Sequence, residues 1–224
     1  AAVFSSDGLR HGPVVTADYA RLGATVTGFT SQLPVLVIDS LGSGPLVKDS
    51  VDHAGWLYSY PARGGASPTF TSSPELISPL ETTVRGSSSA EFPKKGYNLK
   101  FRDASGASAA QPLLDLPAYE KWALIAPWEF DLSYLNNSFI YSLSTQMGRW
   151  APRTRLVELF VNANGGDIDS GDYAGIYVVS DRIEPGEGRV EIETMEPKDT
   201  SGSAVTGGYI FKIDVQDPDE IGWQ

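Results

Sequence analysis

The sequence predicts an α+β fold, a mainly antiparallel sheet crossed by one helix, on three observations. Short apolar runs alternate with turn residues, and the 224 residues include 23 Gly and 15 Pro, the punctuation of a strand-rich chain. Leu33-Pro34-Val35-Leu36-Val37-Ile38 is apolar without a break and ends at Asp39-Ser40-Leu41-Gly42, which fits a strand buried on both faces. Leu135, Phe139, Leu143 and Met147 recur every four residues, which fits a helix laying one face on the sheet.

In chain order, residues 1–31 read as an N-terminal appendage or linker from a preceding module, and residues 32–224 as the main domain. Strands are expected at 33–40, 55–60, 81–85, 97–102, 122–126, 155–161, 174–183, 189–194 and 209–214, with a Gly-, Ser-, Thr- and Pro-rich loop at 63–79. The helix is expected from Asp131 as N-cap to Gly148, with Ile140 widening the stripe and Pro152 beyond the stop. The expected core is Val35, Val37, Leu99, Phe101, Leu124, Phe139, Leu143, Val157, Leu159, Tyr177 and Phe211.

Composition excludes several functions. A net charge of −11, from 17 basic and 28 acidic residues, argues against nucleic acid and anionic membranes, which need a basic footprint. Without cysteine there is no disulfide, thiolate nucleophile or thiolate metal site. No apolar run reaches the roughly 18 residues of a membrane span. Residues 1–6 carry neither a basic n-region nor an apolar h-region, so no signal peptide is read there. The motifs GxxxxGK[ST], GxSxG, HExxH and GxGxxG are missing. His11 and His53, the two histidines, stand in no motif, which disfavours a His triad or His-ligated zinc.

The segment Arg85-Gly86-Ser87-Ser88-Ser89-Ala90-Glu91-Phe92-Pro93-Lys94-Lys95-Gly96-Tyr97-Asn98-Leu99-Lys100-Phe101 carries the most chemistry. By strand parity Lys95 shares a face with Tyr97, Leu99 and Phe101, while Lys94, Asn98 and Lys100 point the other way. A lysine on an apolar face requires an anion unless it snorkels out at the strand end. Two accounts stand: a snorkelling lysine, or one held to meet a carboxylate and a phosphate, as kinase strand lysines are.

This block, with Leu113-Leu114-Asp115-Leu116-Pro117, Trp122-Ala123-Leu124-Ile125-Ala126-Pro127, the stretches 146–155 and 157–162, Tyr173-Ala174-Gly175-Ile176-Tyr177 and Thr206-Gly207-Gly208-Tyr209-Ile210-Phe211-Lys212-Ile213-Asp214, resembles the CotH family of atypical secreted and spore-coat protein kinases. The resemblance runs from about residue 33 to 223. It implies ATP with Mg²⁺ or Mn²⁺, phosphoryl transfer to protein Ser or Thr, and an extracellular or cell-surface location. It places Lys95 at the family's phosphate-contacting lysine and Asp181, of the pair Asp181-Arg182, as its ion-pair partner. Arg85 and Ser87 open a turn that approaches phosphate or, equally, merely joins paired strands.

The chain departs from the family in two places. Asn136-Asn137 stands where an Arg-Asn pair is usual. The family's acidic metal-holding motifs and its catalytic Asp lie beyond the GGYIFKID strand, whereas this chain ends at Gln224, so the segment is expected to be catalytically silent alone. An apolar face left uncovered is expected to pair with the chain's own continuation, another copy or another protein. The alternative is a non-catalytic scaffold or adhesion module of a secreted or cell-surface protein, because fold alone does not decide function.

Two acidic clusters remain. Asp167, Asp169 and Asp172 alternate with Gly and Ser in a hairpin loop, a candidate Ca²⁺ site or a solvated turn. Asp214, with Asp217, Asp219 and Glu220, is a candidate metal ligand, a cap for the next element or a repelling patch. Asn136-Asn137-Ser138 is formally a glycosylation sequon, discounted within a helix.

Overall fold

The computed structural model describes residues 19–48, 51–193, 195, 196, 198–206, 209 and 210. Their elements are β1 (Val35–Asp39), β2 (His53–Tyr60), β3 (Leu76–Arg85), β4 (Gly96–Phe101), β5 (Gln111–Leu113), β6 (Leu116–Tyr119), β7 (Lys121–Ile125), α1 (Asn136–Gln146), β8 (Thr154–Asn162) and β9 (Tyr173–Asp181). Seven strands close into a barrel in the order β1-β2-β3-β4-β7-β9-β8. Neighbours are antiparallel except at the closing seam, where β1 runs parallel to β8 with Val37 opposite Phe160. The expected α+β sheet with a helix across it is therefore corrected to a predominantly β barrel carrying one short helix.

Strand parity explains the barrel. Leu36, Ile38, Leu57, Leu80, Leu99, Phe101, Trp122, Leu124, Val157, Leu159 and Val179 belong to one buried cluster; on each of β1, β4, β8 and β9 they alternate with residues of the outer face. The unbroken apolar run of β1 has a separate cause. Val35 and Val37 turn outward beneath Val26, Phe70 and Ile168 in a second cluster, so both faces of that strand are buried, as its sequence predicts. The described part of the expected appendage is packed on the barrel: Val26 is 1% exposed, and the Gly23 N–H donates to the Ile168 carbonyl at 2.8 Å.

Helix α1 differs most from expectation. Its apolar stripe points to solvent, with Leu135, Phe139, Ile140, Leu143 and Met147 all exposed and Phe139 at 66%. Side chains from the strands already fill the barrel interior, so the helix has no core to cover. The outer barrel surface beneath it bears Arg85, Gly96 and Ile125, and it meets the helix's Asn137 and Tyr141. The helix stops as expected, with Gly148 at φ +76° just beyond it, but it starts later: Leu135 rather than Asp131 is the N-cap, and the Asp131 carboxylate reaches the Asn136 N–H at 3.2 Å from the preceding turn.

Of the expected core, Phe139 and Leu143 are exposed, and Phe211 lies outside the described residues; the others are buried. The strand expected at 189–194 is reduced to one bridge between Pro185 and Val190. Arg189 is instead buried, its guanidinium 3.9 Å from the Tyr119 ring centroid and donating to the Lys121 carbonyl at 2.6 Å. The strand expected at 209–214 falls largely outside the described residues, as does His11.

Candidate functional site: a cationic cleft beneath the helix

The cleft lies where β3 and β7 end and β4 begins, on the outer barrel wall beneath α1. One cavity of about 330 Å³ is lined by Arg85, Gly86, Ser89, Lys94, Asn137 and Tyr141, among others. A second, of about 510 Å³, shares Arg85, Ile125 and Tyr141 and extends to Pro152, Ser180, Arg182 and Ile210. The two form one trough with Arg85 in its middle.

The local sequence builds the trough. Arg85 is the last residue of β3, paired with Gly96 on β4. A Cβ on Gly96 would lie 3.0 Å from the Arg85 Cγ, so glycine there lets the arginine stem lie flat on the sheet. Gly86 follows at φ +103°, where a Cβ would meet the Ser89 Oγ at 2.2 Å, so the turn after Arg85 requires glycine. The chain then makes a single 3₁₀ turn at Ser88–Glu91, which brings Ser89 rather than Ser87 to the cleft. Ser87 is exposed, and its hydroxyl does not cap that turn.

Half-buried Arg85 makes no hydrogen bond or ion pair among the described residues, although the Tyr141 phenol beside it favours its charge. Burial lowers its affinity for a proton first, and the neighbouring Arg182 guanidinium lowers it further. Arg182, also half-buried, reaches over β7 to donate to the Asn98 Oδ1 at 3.3 Å, a neutral partner. At the other end the Lys94 ammonium donates to the Ile176 carbonyl at 2.5 Å. It sits 4.7 Å from the Tyr134 ring centroid and 4.8 Å from that of Tyr177, and burial pushes its pKa down.

The expected Lys95–Asp181 ion pair is not formed. Lys95 precedes β4, so the parity of that strand does not govern it, and its ammonium donates to the Ala90 carbonyl at 2.5 Å. Asp181 is instead committed to Arg153, whose Nε lies 2.7 Å and backbone nitrogen 3.0 Å from its Oδ2. Lys94, which parity sent to the opposite face, is the lysine that lines the cleft.

The acidic hairpin does not form the Ca²⁺ site that its sequence suggested. Asp167 pairs with the Arg21 Nε at 3.1 Å. Asp169 accepts the Gly171 N–H at 2.6 Å, and Asp172 accepts the Asp169 N–H at 2.9 Å, a reciprocal cap on a short 3₁₀ turn. Burial raises the Asp172 pKa, and the nearby Asp169 and Asp39 charges add to the rise. Among the described residues no three acidic or imidazole groups converge to hold a metal ion. Asp214 lies outside them.

The concave, partly apolar trough thus holds one guanidinium with no hydrogen bond among the described residues, Arg85, and one, Arg182, whose partner there is neutral. The model of the CotH kinase protein family matches residues 82–224, well over half of the chain, and the chain belongs to that family. The match begins on β3 and takes in every cleft residue; β1 and β2, which close the barrel, precede it. A search of curated proteins finds no match.

Proposed function

We propose that this chain is the phosphate-holding part of a CotH-type kinase, secreted or cell-surface, which uses ATP to phosphorylate protein Ser or Thr, and that the trough beneath α1 receives the nucleotide's phosphates. The observation that carries this is Arg85, half-buried and without an acidic partner among the described residues of a chain with 28 acidic residues. A desolvated guanidinium is costly unless an anion completes it, and a planar fork suits phosphate oxygens.

The trough's donors fit a polyphosphate. Arg85 supplies a fork in its middle, Lys94 a point charge held in place by the Ile176 carbonyl, and Ser89 a hydroxyl on the rim. ATP when bound supplies the transferable phosphoryl group. The contribution of these side chains is to fix the phosphate chain and offset its charge, which is most of what a protein does in phosphoryl transfer. The described residues supply no ligand set for Mg²⁺ or Mn²⁺, so no step is assigned to a metal.

Titration calorimetry of the 224-residue chain with ATP tests this. Saturable binding is expected, weakened about tenfold or more in Arg85→Gln, the loss of one charge-assisted fork. No binding, or binding indifferent to Arg85, would favour the scaffold role instead.

A further inference from the structure

Arg182 is a second guanidinium in the cleft. It follows β9 directly and shares a cavity with Arg85, Ala123 and Tyr141. Two small residues make the approach feasible. Gly96 leaves room for the Arg85 stem, and on β7 Ala123, paired with Ser180 of β9, offers only a methyl group where Arg182 crosses toward Asn98. Two long side chains from β3 and from the end of β9 thus enter one trough from opposite edges.

Electrostatically the approach of two guanidiniums is unfavourable. Like charges in a poorly hydrated space repel more strongly than in water, and Arg182 is among the causes that depress the Arg85 pKa. Asp181, the carboxylate lining the same cavity, has its Oδ2 paired with Arg153, while its Oδ1 is buried without a hydrogen bond to either guanidinium. An anion with oxygens on two sides would relieve both guanidiniums together, whereas a single surface cation gains little from an ion.

We propose that Arg85 and Arg182 form a two-arginine clamp for one phosphate group, with Arg182 as a phosphate-binding residue of this cleft. The proposal deepens the assignment of phosphate to the trough and rests on it. Between the forks the group held is a terminal, doubly charged phosphate, which presents more free oxygens than a bridging one.

The test is calorimetric titration of the intact chain with inorganic pyrophosphate and, separately, with ATP. It compares the wild type with Arg182→Gln, Arg182→Lys, Arg85→Gln and Lys121→Gln. Lys121 controls for net charge, since it is a half-buried cation outside the trough that faces Glu184. Circular dichroism and melting confirm that each variant is folded. The clamp predicts that Arg182→Gln and Arg85→Gln each weaken pyrophosphate about tenfold or more. Arg182→Lys, keeping charge without the fork, should fall between, and Lys121→Gln should bind as wild type. If Arg85→Gln weakens ATP while Arg182→Gln does not, the clamp is overturned and the phosphate trough stands. Equal losses in Arg182→Gln and Lys121→Gln would also overturn it, because bulk charge alone would then account for binding. Failure of the wild type to bind either probe removes both proposals. Should Arg182→Gln not fold, Arg182→Lys decides: unchanged pyrophosphate binding in it counts against the clamp.

Discussion

Arg153 and Asp181 bring a carboxylate with no side-chain exposure against a guanidinium that is 34% exposed. Arg153 also donates to the Tyr119 hydroxyl at 3.1 Å and the Gly188 carbonyl at 3.1 Å, so it ties the end of β9 to the loop after it. Removing one member of such a pair strands the other. Arg153→Ala is expected to cost about 3–5 kcal/mol in urea unfolding, and Arg153→Ala with Asp181→Asn markedly less than the sum of the single changes. A cost below about 1 kcal/mol for Arg153→Ala would mean that water already compensates the buried carboxylate. Residue-scale chemistry was only partly legible. Arg85 stood out beside its glycine turn, but the partners of Lys95 and Asp181 depend on a carbonyl of a 3₁₀ turn and on an arginine 28 residues earlier, and no local pattern carries either. Strand alternation extended to a residue before the strand begins misdirects Lys95, whereas Lys94, which the same alternation puts on the outer face, lines the cleft.

Helix α1 illustrates the same limit one scale up. A period of four identifies a helix and one apolar face, but not what that face meets. Here the polar face meets the cleft. Phe139→Gln should therefore change unfolding stability by no more than about 0.5 kcal/mol, whereas Leu124→Ala in the barrel interior should cost about 2–5 kcal/mol. Comparable losses in the two variants would place the stripe against the core after all. The β5–β6 hairpin escaped the sequence for another reason. Its turn residues Leu114 and Asp115 have φ of +54° and +63°, the left-handed pair that Asn-Gly or Asp-Gly normally announces, and Leu114 gives no such signal. The strands that were recognised, β1, β4, β7, β8 and β9 among them, combine β-branched or aromatic residues with clear turns.

For the whole molecule, the seven barrel strands were readable as strands while their closure was not, although β3 begins at Leu76, inside the loop expected at 63–79. The barrel depends on the parallel seam between β1 and β8, over 120 residues apart in sequence, and long-range pairing leaves no mark on either segment's own periodicity. Closure turns the apolar faces inward and leaves polar and small residues of β3, β4, β7 and β9 on the outer wall beneath α1. In a protein of net charge −11, that wall gathers Arg85, Arg182 and Lys94 around one trough. The most direct measurement is a ¹H–¹⁵N spectrum of the arginine Nε–H groups during titration with ATP. The Arg85 and Arg182 signals are expected to move together and saturate at one affinity, while those of Arg153 and Arg189, already committed to Asp181 and Glu184, stay in place. An Arg85 signal unmoved at saturating ATP would contradict a phosphate site in this trough.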